Sequence, residues 1–293
     1  MGVLPFELLS CFLLGFLLGW SVPWLPGWIA PLLIRWGVPF SLAALLLRSK
    51  LSFALLKVGL LGLLVPLVCL ALLLSWPPLR QRMADRVLIL GAVVGNTGYW
   101  GLPVALALLP PEAVATAAIY DVAGTLITWG VGPWVLLGLP GSPLALVSTL
   151  VGSPALQGFA LFLLISQSPW STVLSQALWW PARAVFVVAL ALLGMRLGLT
   201  IRARRVVWSG GIPWAMAFKL VVVPVVVGLL SGVVHLTPLD RQALVLQGAA
   251  PTALSVLLMA EAKQQGAPLA SSLVLSSTVV AMVTVPLWWS LIR

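Results

Sequence analysis

Apolar runs of about twenty residues follow one another along nearly the whole chain, separated by short stretches rich in Pro, Gly, Ser and Arg. A run of that length crosses the hydrocarbon core of a bilayer as a helix. Lipid offers no partner to backbone N–H and C=O groups, so a segment in it must satisfy them internally, and an apolar run of this kind does so as a helix. Charged residues make up only 8% of the chain and hydrophobic ones 61%, with a mean hydropathy of +1.15. A water-soluble domain carries about a quarter charged residues, so water is not the main solvent here.

Ten runs are expected to span the membrane, at 4–20, 29–47, 54–76, 87–109, 113–137, 144–165, 179–197, 212–234, 243–260 and 268–292. The first is short, and nine or eleven spans stay compatible with the hydropathy. Together they leave no room for an appended soluble module, so we expect one all-α membrane domain over 1–293. The 26 Gly and 23 Pro suit helices that pack closely and bend. Several of the fifteen Trp residues (Trp20, Trp24, Trp28, Trp76, Trp179, Trp180, Trp288, Trp289) sit near run ends, as interfacial anchors do. The first run has no basic segment before it and no small-residue cleavage site before Pro23, which predicts a retained first helix.

The net charge of +10 raises nucleic acid as a partner, but the basic residues lie in short clusters between apolar runs and form no basic domain. They read better as loop anchors against anionic lipid. Cys11 and Cys69 fall inside apolar runs, which argues against a disulfide framework or a metal site. With no Walker loop, paired-His zinc motif or acidic pair for a metal–diphosphate, the sequence predicts no enzyme and no cofactor.

The two halves match in the order of their markers. Arg35 and Arg48 bracket one span as Arg183 and Arg196 bracket another, at an offset of 148 residues; Asp85-Arg86 and Asp240-Arg241 each open a span, at an offset of 155. This predicts an internal repeat, about 1–138 and about 144–293. Five spans per half would insert with opposite orientation, an inverted repeat. Arg80, Arg82, Arg86, Arg196, Arg202, Arg204, Arg205 and Lys263 then share one side, against Arg48, Lys50, Lys57, Arg241 and Arg293 on the other. That bias makes the first side cytoplasmic and leaves both termini outside.

Two interruptions stand out. Gly95-Asn96-Thr97-Gly98-Tyr99-Trp100-Gly101-Leu102-Pro103 lies mid-run, and three glycines with a proline strongly disfavour continuous helix there. Gln247-Gly248-Ala249-Ala250-Pro251-Thr252 interrupts the ninth run. Non-helical backbone at such depth is tolerated only where protein buries it or water reaches it. Each break frees amide N–H groups that suit an anion and carbonyls that suit a cation. A single Gly/Pro kink is usually a matter of packing, but paired polar interruptions in corresponding places point to a transporter's binding site.

The first interruption resembles the N-T-x-x-x-G-[IL]-P signature of the auxin efflux carrier family, which includes plant auxin exporters and bacterial dicarboxylate permeases. The segments Gln247-Gly248 to Pro251 and Ser276-Ser277-Thr278 to Pro286-Leu287 resemble the family's last two spans. The resemblance implies ten helices in two inverted five-helix repeats, with the broken fourth and ninth helices crossing. It implies a panel that moves against a scaffold and carries organic anions, with Asn96 and Pro103 in the first crossover and Pro251 in the second. The long loop of the plant members is missing, since the midpoint linker is only a few residues around 139–143. A bacterial-type permease of the inner membrane is the closer match.

Asn96, Thr97, Gly98, Pro103, Gln247, Pro251 and Thr252 are therefore the expected substrate-binding residues. Asp121 and Lys219 are the charges deepest in the spans. Buried charge is costly and usually faces a cavity or a partner: Asp121 suits a coupling proton or cation, Lys219 a carboxylate, and a structural pair of the two is the bland alternative. Asp85 and Asp240 are expected to cap helix starts, and His235 to sit at a span end. The leading expectation is a secondary transporter for an organic anion, coupled to protons or sodium, with a homodimer left open. A sodium symporter resembling bile-acid carriers is the nearest alternative. An intramembrane enzyme or non-transporting subunit is the alternative of another class.

Overall fold

The computed structural model describes residues 4–48, 52–137, 143–203 and 206–293, and among these all regular secondary structure is helical. In chain order the helices are α1 (Leu4–Ser21), α2 (Leu25–Leu46), α3 (Phe53–Ser75), α4 (Pro77–Arg82), α5 (Arg86–Val93), α6 (Leu102–Leu108), α7 (Pro111–Leu137) and α8 (Pro143–Val151). They continue with α9 (Pro154–Ser166), α10 (Ser171–Ala177), α11 (Trp179–Arg202), α12 (Ile212–Val233), α13 (Pro238–Gly248), α14 (Leu254–Ala262) and α15 (Ala267–Ile292). Six of them (α2, α3, α7, α11, α12 and α15) are long and apolar enough to cross a bilayer. The expected run at 87–109 is interrupted between α5 and the turn opening at Thr97, and the run at 243–260 between α13 and α14.

One expectation is corrected. The run at 144–165 is not a single helix but two, α8 and α9, meeting at Gly152-Ser153-Pro154. Proline lacks an N–H and pushes the residue before it out of the helical region, and Ser153 is extended, with φ −71° and ψ 125°. The Gln157 amide stitches the joint by donating to Val151 O at 3.1 Å.

Proline also explains three wide helical turns. Leu33–Gly37, Thr97–Gly101 and Phe218–Val222 are π-helical, and each ends two residues before a proline: Pro39, Pro103 and Pro224. In each, the N–H just before the proline reaches back five residues: Val38 to Leu33 O, Leu102 to Thr97 O, Val223 to Phe218 O. An α-helical turn would press the proline ring on the carbonyl four residues back, and widening the turn relieves that clash.

Side chains cap the starts of α3, α5 and α13. Asp85 Oδ1 accepts the Val87 N–H at 2.8 Å, as expected. Asp240 departs from expectation: Thr237 is the cap of α13, since Pro238 takes the first helical position, and Asp240 lies in the first turn. Its carboxylate accepts from Thr237 Oγ1 at 2.7 Å and from Thr116 Oγ1 at 2.6 Å, which ties α13 to α7.

Close packing falls where glycines remove side-chain bulk. Gly15 and Gly19 of α1 lie on the Ala191 and Met195 backbone of α11, and Gly194 and Gly198 of α11 lie on the Phe12 and Phe16 backbone of α1. Two interlocked small-xxx-small stripes let these backbones touch. The outward faces carry exposed Leu13, Leu17, Leu56, Leu60, Leu64, Val283 and Leu287, spaced as a lipid-facing stripe requires. Trp20, Trp24, Trp28, Trp76 and Trp180 are exposed near helix ends, where an aromatic belt belongs.

Candidate functional site

The two central interruptions lie against each other. Asn96 N–H donates to Pro251 O at 2.7 Å and Ala253 N–H to Val94 O at 3.0 Å, an antiparallel bridge that sets Gly95 opposite Thr252. Each break thus supplies the partners the other lacks, which is how extended backbone is satisfied away from water. Thr252 locks the joint: its hydroxyl donates to Gly91 O at 2.9 Å, and its N–H donates to Ser277 Oγ of α15 at 3.1 Å.

Both deep charges converge here. Asp121, from α7, accepts a hydrogen bond from Thr97 Oγ1. Lys219, from the π turn of α12 and 1% exposed, donates to Gly248 O at 2.6 Å, at the carbonyl end of α13. They do not pair with each other, because each is taken up by a different broken segment. Gly95 makes room for Lys219, since a Cβ there would lie 3.1 Å from Lys219 Cε, whereas one on Gly98 would meet Asp121 Oδ1 at an ordinary contact distance of 3.4 Å.

A cavity of about 220 Å³ opens beside the bridge, lined among others by Asn96, Thr97, Gly98, Asp121, Lys219 and Gln247. Asn96 is 4% exposed and Gln247 fully buried, yet neither Asn96 Nδ2 nor either amide atom of Gln247 has a protein partner among the described residues. A buried polar atom left unsatisfied costs about 1–3 kcal/mol. Unpartnered buried atoms of this kind are rare in folded proteins, and here three of them belong to two residues of one cavity wall.

Of the seven expected substrate-binding residues, the structure brings Asn96, Thr97, Gly98 and Gln247 to this cavity. Pro251 and Thr252 are buried within the bridge that shapes it. Pro103 sits in α6 and lines a separate cavity with Leu8, Cys11 and Arg183. Sequence reading missed Tyr99, Tyr120, Thr125, Ser153 and Ser255 on the cavity wall. Two of these had a legible signal: Tyr99 lies within the first interruption, and Ser153 in the Gly-Ser-Pro helix breaker at 152–154. His235, with φ 52°, and Arg241 share a different groove at the ends of α12 and α13. Among the described residues no cluster of three or more His, Cys, Asp or Glu is placed to hold a metal ion.

The second half of the chain, residues 144–289, matches the family model described as membrane transport protein. An uncharacterised transporter of Methanocaldococcus jannaschii is 24% identical over 212 residues, covering 70% of this chain and 68% of that protein. These matches agree with the Asn96-Thr97 to Pro103 motif and with helices long and apolar enough to span a bilayer. The chain is an integral membrane protein and a transporter, and over residues 144–289 it is similar to the membrane transport protein family, that of the auxin efflux carriers.

Proposed function

We propose that the chain is a secondary transporter that moves a small organic anion, such as a carboxylate, by alternating access, and that the bridged breaks form its binding site. One observation carries this reading. Two interruptions from opposite halves of the chain pair at Gly95 and Thr252, and the cavity beside them holds unpartnered amides on Asn96 and Gln247. The N–H ends of the helix opening at Thr97 and of α14 face this region, where partial positive charge favours a carboxylate. On this reading ten spans form two inverted five-helix repeats, with both termini outside a bacterial inner membrane.

The charges suggest how transport is driven. The carbonyl end of α13, where a bound cation would be drawn, is already occupied by Lys219 Nζ. We therefore place coupling on Asp121, the one carboxylate lining the cavity among the described residues, as a proton carrier linked to the first break through Thr97. A proton gradient then drives flux, and sodium is not required.

Purified protein in proteoliposomes, offered mono- and dicarboxylates under separate proton and sodium gradients, tests this directly. Asn96→Ala should abolish flux while the protein stays folded and membrane-inserted. Flux at the unsubstituted level in that variant would remove the bridged breaks as the binding site.

A further inference from the structure

The cavity has a second set of hydrogen-bond donors, on a span unrelated to either bridged break. Ser153 and Pro154 line it at the joint between α8 and α9, together with Ala155 in the first turn of α9, a helix of 13 residues. Proline at the first position contributes no N–H, and the first bond closing the helix runs from Gln157 N–H to Ser153 O at 3.0 Å. The N–H groups of Ala155 and Leu156 have no partner among the described residues. A serine at this position ordinarily turns its hydroxyl back to accept from one of these amides. Ser153 does not, although its backbone is in the extended conformation that capping uses. It is only 5% exposed, it lies on the cavity wall, and its hydroxyl makes no hydrogen bond to any described residue. Thr125 of α7 and Ser255 of α14 line the same cavity, each with a hydroxyl unbonded to any described residue.

We propose that Ser153 and the N terminus of α9 form a second anion-binding subsite in this cavity, taking one electronegative end of a solute whose other end is held at Asn96 and Gln247. The inference rests on the transporter reading above and narrows the substrate to small organic anions with acceptor groups at both ends. Two free amides, a free hydroxyl and the positive end of a helix dipole make a site for carboxylate or phosphate oxygens. The hydroxyl is free to donate to the ligand because it is not spent on its own helix.

Charged thiol reagents test the subsite without any transported solute. In a Cys11→Ala/Cys69→Ala background, Ser153→Cys and, separately, Thr125→Cys are labelled in the full-length detergent-solubilised protein. The probes are anionic sulfonatoethyl methanethiosulfonate and its cationic trimethylammonium analogue. The ratio of the two rates cancels differences in thiol reactivity and reports local potential. The anionic reagent should be favoured about tenfold more strongly at position 153 than at position 125. Equal ratios at the two positions would assign the potential to the cavity as a whole, with Lys219 as its source, and overturn the subsite. So would a preference for the cation at position 153, or no labelling there. Because labelling does not depend on flux, failure here is distinct from failure of the Asn96→Ala transport test.

Discussion

Gly101 and Gln247 touch so closely that no side chain fits between them: a Cβ on Gly101 would stand 2.8 Å from Gln247 Cδ and nearer still to its carbonyl oxygen. Gln247 is fully buried, so its amide must shift out of packed surroundings before the added carbon fits. Gly101→Ala should therefore destabilise the protein by about 1–3 kcal/mol, the usual cost of overpacking. Gln247→Ala in the same chain should restore the melting temperature by vacating the space. If the Gln247 amide also binds substrate, the double variant recovers stability without recovering transport. Recovery of both would make Gln247 a packing residue only. Asp121 presents the same kind of choice. Asp121→Asn keeps an acceptor for Thr97 Oγ1 but cannot carry a proton through the cycle. Proton-driven uptake should vanish, whereas solute exchange between two loaded compartments should persist. Loss of both would make the carboxylate a binding group rather than a coupling one.

At the scale of the helix, the α1–α11 contact is the most sensitive to bulk, because the glycines there meet backbone rather than the movable ends of side chains. Gly15→Val or Gly198→Val has to separate two helices that bury each other's main chain, and should cost about 3 kcal/mol or more. Gly232→Ala supplies the contrast. Nothing lies within 4 Å of the added carbon, and the position is helical, so stability should rise by about 0.5–1 kcal/mol. Thermal melting in one detergent reads all three variants. The glycine spacing on α1 and α11 was present in the sequence, but spacing does not say which helix answers which, so the pair went unread. The interruptions at 95–103 and 247–252 were legible because Gly, Pro and Asn in mid-run serve no apolar packing purpose. Which of their residues face the cavity was not legible. That depends on the bridge, which folds Pro251 and Thr252 into the joint and leaves Asn96 and Gln247 on the cavity wall. The Gly152-Ser153-Pro154 joint was readable on the same grounds, but its short polar content was lost inside a long apolar run.

For the whole molecule, if the two halves are the inverted repeats proposed above, their register is best taken from buried backbone. Charged markers at run ends gave offsets of 148 and 155 residues, whereas the bridge sets Gly95 opposite Thr252, an offset of 157. Loops absorb insertions freely, so markers at their edges drift while paired main chain cannot. Alternating access further requires that one group of helices slide past another. The contact between Phe12 of α1 and Trp100 of the first break, with ring centroids 6.1 Å apart and planes at 81°, joins the glycine-locked α1–α11 pair to the bridged segment. If the bridged segment moves against that pair, this contact must open in each cycle. A short bifunctional methanethiosulfonate joining Phe12→Cys to Trp100→Cys should then arrest flux in proteoliposomes, and reductant should release it. Gln242 and Ile292 give the control, since the Gln242 side chain donates to Ile292 O at 2.9 Å between α13 and α15, both on the moving side in this scheme. Cross-linking Gln242→Cys to Ile292→Cys should leave flux intact. Arrest by both links would mean that α13 and α15 also shift relative to each other. Arrest by neither would place the moving boundary elsewhere than between α1 and the bridged segment.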